Sequence, residues 1–185
     1  MKYIPNILTV SRIALALIYI MLLENLHIRY SMNIFVTALF VFSMICLTDI
    51  IDGKIARRFS AVSITGSLLD VMADFIFILL SCLILMRHNI IPLWFILIIV
   101  FKLVEFVTTS CFYRKNRKVK NNFFVFDYVG RIAAVNFFII PGIALMCYIG
   151  FDILVLNIVL YITFVLVIIS TLSRVAKYLY KYPTN

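Results

Sequence analysis

Long apolar runs broken by short polar joints dominate the chain. The runs cover 7–23, 32–51, 65–86, 90–111, 128–149 and 153–172, and the joints cover 24–31, 52–63, 87–89, 112–126 and 150–152. A helix needs about 20 apolar residues to cross the hydrocarbon of a bilayer, so each run is the length of one pass or close to it. The pattern predicts an all-α integral membrane protein with six transmembrane helices, in a single domain over 1–185. A count of five or seven stays open, because Arg12 falls inside the first run and lets it lie partly in the interface. Composition agrees: 65% of residues are hydrophobic and the mean hydropathy is +1.13, against about 45–50% apolar for a soluble domain. The first run ends in Leu22-Leu23-Glu24-Asn25 without a small-x-small cleavage site, which predicts a retained helix rather than a signal peptide.

Charge orients these passes. Seventeen Lys and Arg stand against 8 Asp and Glu, a formal net charge of +9. With both termini and the second and fourth joints assigned to the cytosol, 14 of the 17 basic residues fall there; Arg29 and Arg87 lie outside and Lys102 within the fourth run. That asymmetry predicts a multi-pass cell membrane protein with both termini cytosolic. It also accounts for the basic excess, so no nucleic-acid partner is expected. Cys46, Cys82, Cys111 and Cys147 contain no C-x-x-C pair, which argues against a zinc knuckle or a disulfide framework. Lys102 and Glu105, three residues apart in the fourth run, are expected to neutralise one another. His27 and His88 fall in joints on the opposite side from the acidic cluster and are expected to be surface residues.

The acidic residues are unevenly placed. Asp49, Asp52, Asp70 and Asp74 fall within 26 positions. At ~100° per residue, Asp49 and Asp52 project about 60° apart, and Asp70 and Asp74 about 40° apart. Each pair lines one face of its helix, and the short joint makes the two helices antiparallel neighbours whose acidic faces can oppose each other. Hydrated helix ends would account for Asp49 and Asp52. Asp74 is different: it lies about nine positions into its run, ~13 Å at 1.5 Å per residue, among Met72, Phe75, Ile76 and Phe77. A carboxylate at that depth costs roughly 2.5–3.5 kcal/mol, and four converging carboxylates repel without a counter-charge. Two divalent cations resolve both, and hard oxygen donors suit Mg²⁺ or Mn²⁺. Gly53, Ala56 and Gly66 keep the acidic face free of bulk, while Arg57 and Ser67 offer donors to phosphate oxygens. A metal-bridged diphosphate is the ligand such a site predicts. A divalent-cation transporter is the rival reading; it calls for broken helices at the midplane and acids reaching both faces, whereas these lie on one side.

The run Asp49-x-x-Asp52-Gly53-x-x-Ala56-Arg57, followed after eight residues by Gly66 and then by Asp70 and Asp74, resembles the signature of the CDP-alcohol phosphotransferase (CDP-alcohol phosphatidyltransferase) family. The resemblance implies a phospholipid-biosynthetic transferase that moves a phosphatidyl group from CDP-diacylglycerol to a polar alcohol and releases CMP at the cytosolic membrane face. It implies metal ligation by Asp49, Asp52 and Asp70, with Asp74 as the general base that also touches the second metal. The depth of Asp74 agrees with a part in proton transfer. Gly53, Ala56, Arg57, Gly66 and Ser67 are implied to line the cytidine and phosphate pocket. Arg114, Arg117 and Arg131 are candidate clamps for a phosphorylated acceptor, and a homodimer is implied. Pro5-Asn6-Ile7-Leu8-Thr9 with Arg12 is similar to the opening of the family's phosphatidylglycerophosphate synthase branch, which implies glycerol 3-phosphate as acceptor. Inositol phosphate, inositol and serine stay open, because Val71 and Phe75 stand where that branch reads Pro and Lys. The Lys and Thr pattern it carries early in helix five is replaced by Gly130-Arg131-Ile132-Ala133-Ala134.

Overall fold

The computed structural model describes the backbone over residues 4–58, 64–116 and 128–181, and side chains over 11–51, 71–109 and 128–176. The described residues form α1 (Ile4–Ile28), α2 (Met32–Arg58), α3 (Ile64–Arg87), α4 (Leu93–Asn116), α5 (Tyr128–Met146) and α6 (Ile153–Lys181), with a 3-10 turn at Cys147–Ile149. Five of these helices run past the apolar stretches that predicted them. Residues 24–28, 52–58 and 112–116 are helical rather than joints. Glu, Asn, Lys, Arg and Ala are compatible with helix, so the loss of apolar character marks the end of the hydrocarbon and not the end of the coil. Where the chain does turn, local chemistry is visible. Asn89 takes a left-handed φ of 58° after α3, and Gly150 a φ of 90° after the 3-10 turn, conformations that Asn tolerates and Gly adopts freely. Asp152 Oδ1 then accepts the backbone N–H of Leu154 at 2.8 Å, opening α6.

Of the six expected passes, four helical segments among the described residues, Ser11–Ile28, Met32–Ile51, Tyr128–Ile149 and Ile153–Ala176, are long and apolar enough to cross a membrane. Side-chain distribution supports the same environment. Leu17, Met21, Phe40, Leu97, Phe101, Ile158, Val165 and Leu172 are exposed, while Arg12, Ser81, Lys102, Thr163, Ser170 and Arg174 are buried. Large apolar side chains outward and charges inward is the arrangement a hydrocarbon solvent selects.

The chain divides into two compact units, 1–92 with 141–151, and 93–140 with 152–185, the boundary falling within α5 at Pro141. In the first unit α1 packs against both α2 and α3. One aromatic ring from each of these helices meets at its centre, Tyr19 lying 5.7 Å from Phe42 and from Phe77, with Phe42 and Phe77 6.3 Å apart. The buried Tyr19 hydroxyl donates to the Pro141 carbonyl at 2.9 Å. Gly142 follows because a Cβ there would run into the Phe42 ring. In the second unit α4 and α6 are joined by a buried ionic group. Lys102 donates to Ser170 Oγ at 2.8 Å and stands 2.7 Å from Glu105, as its spacing predicted. Arg174 approaches Glu105 at 3.7 Å, donates to Thr109 Oγ1 at 3.0 Å and lies over the Phe106 ring.

Candidate active site

The buried stripe of α1 reads Ala16, Tyr19, Leu23 and Leu26, a spacing of three and four that keeps one face of the helix against its neighbours. Arg12 extends that stripe by one turn and is 1% exposed. On α2 the buried positions Ala38, Val41 and Ile45 lead to Asp49 one turn later. On α3 Asp74 lies one turn before Phe77 and Ile78, both buried. The apolar seams of three helices therefore end in charge at one level, about 10 Å along α1 and α2 from the ring cluster, at seven residues' separation.

At that level Arg12 Nη1 donates to Asp74 Oδ1 at 2.8 Å and lies 3.2 Å from Asp49 Oδ1. One guanidinium nitrogen thus joins carboxylates from two helices, whose oxygens are no farther apart than the sum of those distances. The cation and the anions differ in access. Arg12 is enclosed, whereas the Asp49 side chain is 46% exposed and that of Asp74 30%. The guanidinium stands behind the carboxylates, and the carboxylates keep open surface for a ligand. Asp52 follows Asp49 by three residues and Asp70 precedes Asp74 by four, all four on helical backbone; the side chains of Asp52 and Asp70 lie outside the described residues. Among the described residues no three metal-ligating side chains converge. The two carboxylates present are hard oxygen donors that fit Mg²⁺ or Mn²⁺ as part of a larger set.

Arg12 is the residue that sequence reasoning missed. It reads there as a cytosolic basic residue within the first run and as part of the resemblance to the synthase branch's opening, and the counter-charge for the aspartates is assigned to metal alone. The structure supplies a cation from within the chain. Its partner Asp74 is 62 positions away, so no local pattern reveals the pairing; the only signal is that Arg12 shares a helical face with Ala16 and Tyr19. The histidines also need correction. His27 is exposed, but His88 is largely covered, stacked on His27 at 3.6 Å and paired with Glu24 at 3.1 Å. Glu24 also meets Arg87 at 3.1 Å. Helix α1 continues through His27, which brings both rings together beside the end of α3.

The remaining predicted positions are placed only in part. Gly53, Ala56 and Arg57 are on the helical backbone of α2, and Gly66 and Ser67 on that of α3, with side chains outside the described residues. Arg114 is on α4 with its side chain likewise outside, and Arg117 lies outside the described residues altogether. Arg131 is exposed in the first turn of α5, in the second unit.

Residues 2–173 match the family model of the CDP-alcohol phosphatidyltransferases. The chain belongs to this family. The matched span of this CDP-alcohol phosphatidyltransferase encloses Arg12 and the whole aspartate signature. A cardiolipin synthase (CMP-forming) from Streptomyces coelicolor is 34% identical over 96 residues, which is 52% of this chain and 44% of that protein. The similarity thus spans less than half of the relative's length.

Proposed function

We propose that the protein transfers a phosphatidyl group from CDP-diacylglycerol to an alcohol, releasing CMP, at the cytosolic face of the cell membrane. The observation that carries the reading is the enclosure of the four-aspartate signature within the family match, with Asp49 and Asp74 gathered at one guanidinium. Asp49, Asp52, Asp70 and Asp74 would hold two divalent ions, Mg²⁺ or Mn²⁺. Such ions, when bound, neutralise a diphosphate and polarise its phosphoryl oxygens. Gly53, Ala56 and Gly66 leave room for the cytidine diphosphate, and Arg57 and Ser67 donate to its oxygens. Asp74 accepts the proton of the acceptor hydroxyl. The acceptor oxygen bonds to the lipid-side phosphorus, the bond from that phosphorus to the bridging oxygen breaks, and CMP leaves with the electron pair.

Glycerol 3-phosphate is the proposed acceptor, with Arg114, Arg117 and Arg131 as candidate partners for its phosphate. A second reading is favoured by the Streptomyces relative, a CMP-forming cardiolipin synthase. Cardiolipin carries two phosphatidyl groups on one glycerol, so CMP-forming synthesis requires phosphatidylglycerol as the alcohol. Purified protein supplied with CDP-diacylglycerol, Mg²⁺ or Mn²⁺ and a panel of glycerol 3-phosphate, phosphatidylglycerol, inositol phosphate, inositol and serine distinguishes these. CMP release with glycerol 3-phosphate is the expected outcome, and cardiolipin as the product selects the second reading. No release with any alcohol overturns the transferase assignment.

A further inference from the structure

We infer that Arg12 is a positioning residue of the proposed transferase: from its buried place on α1 it fixes the spacing of Asp49 and Asp74 and serves as the built-in counter-charge of the acidic face. The inference rests on the metal-dependent transferase reading above. Its first support is geometry. Arg12 uses one nitrogen, Nη1, for Asp74 of α3 at 2.8 Å and Asp49 of α2 at 3.2 Å, and α1 is packed against both of those helices. A guanidinium nitrogen that touches both carboxylates sets their separation directly, and its N–H groups are fixed in the guanidinium plane, whereas an ammonium presents rotatable donors on a flexible stem.

The second support is access. A basic residue that merely balances cytosolic charge keeps its head in water, with its stem along the apolar surface. Arg12 does the reverse, being 1% exposed on a stripe continued by Ala16, Tyr19, Leu23 and Leu26. At that burial it reaches no substrate, so its effect passes through the aspartates, which are themselves open. Arg12 engages Oδ1 of each, and a carboxylate has several lone-pair sites for further partners. The charge logic is equally specific. Two aspartates brought from α2 and α3 to one guanidinium repel each other, and a fixed positive charge behind them lets the acidic face stay assembled before any cation arrives. When cation is present the same residue keeps the oxygens in register, the part that groups behind metal ligands play, where substitution typically loses about 10–100-fold.

The test combines melting of the detergent-purified protein in EDTA and in Mn²⁺ with the CMP-release assay. Arg12→Gln should melt roughly 5 °C below wild type in EDTA, with Mn²⁺ restoring most of the difference. Its kcat should fall about 10-fold or more, with a smaller change in KM for CDP-diacylglycerol. Arg12→Lys, which keeps the charge without the planar guanidinium, should recover the EDTA stability but not the full kcat. Arg12→Gln with Asp49→Asn, which removes one negative charge along with the positive one, should melt higher in EDTA than Arg12→Gln alone. An Arg12→Gln protein that loses equal stability in EDTA and Mn²⁺, or that keeps wild-type kcat, overturns the inference and leaves the transferase reading standing. A wild-type protein whose melting does not respond to Mn²⁺ overturns the metal reading and this inference together.

Discussion

Asp49 and Asp74 share a guanidinium but have different parts in the proposed reaction, and substitution should separate them. Asp74→Asn keeps the shape and removes the proton acceptor, so kcat for CMP release should fall about 10²–10⁴-fold. Asp49→Asn should instead raise the Mn²⁺ concentration needed for half-maximal rate, read from a metal titration of the same assay. Residues that shape the interior near the site respond in stability. Tyr19→Phe deletes the buried bond to the Pro141 carbonyl and should lower stability by about 1 kcal/mol. Gly142→Ala drives a methyl into the Phe42 ring, which already has Tyr19 and Phe77 as neighbours; overpacking of this kind costs about 1–3 kcal/mol, and thermal melts check both. At this scale the aspartates were legible from sequence because a carboxylate in an apolar run is conspicuous and its spacing repeats the helix. Arg12 was not, since a basic residue near a cytosolic helix end looks the same whether it reaches water or a buried partner. The glycine at 142 was equally silent, because its reason is a ring on another helix.

Among the elements, number and order were readable and lengths were not. Among the described residues each of the six apolar runs is helical and four are long and apolar enough to cross a membrane, where a helix satisfies all its backbone groups within the segment. The C-terminal ends of α1, α2, α4 and α6 lie beyond their apolar runs by about one to three turns, since polar residues that leave the hydrocarbon can remain helical. The extension of α1 through His27 has a consequence for the polar cluster it builds with α3. Glu24 serves both Arg87, 74% exposed, and His88, 10% exposed. An exposed pair contributes little, so Arg87→Ala should change stability by no more than about 0.5 kcal/mol. Glu24→Ala, which removes the acceptor of a covered histidine, should lower the melting temperature more than Arg87→Ala does. Between α4 and α6 the ionic group sets up a sharper contrast. Glu105 is the anion between Lys102 and Arg174, all three largely covered. Glu105→Gln leaves two buried cations facing each other, an arrangement expected to lose roughly 3–5 kcal/mol. Adding Lys102→Met should recover part of that loss in the same melts.

At the scale of the whole molecule the distribution of side chains is inverted relative to a water-soluble protein, with large apolar groups exposed and several charges enclosed. The basic residues at the chain's joints extend the argument to orientation. In a cysteine-free background, Lys120→Cys should react with an impermeant thiol reagent only in inside-out vesicles, and Ser31→Cys only in right-side-out ones. The reverse pattern would place the aspartates on the other face of the membrane. The enclosure of Arg12 also bears on how the protein is made. In the growing chain Arg12 is synthesised 62 residues before Asp74. At roughly 5–20 residues per second the guanidinium waits about 3–12 s for that partner. An arginine at the centre of a bilayer is unfavourable by about 2.5–3.5 kcal/mol, so during the wait α1 is held with its charge near the headgroups. Helix α1 is therefore expected to seat after α2, when α3 emerges, and assembly of the acidic face becomes the step that completes insertion of these three helices.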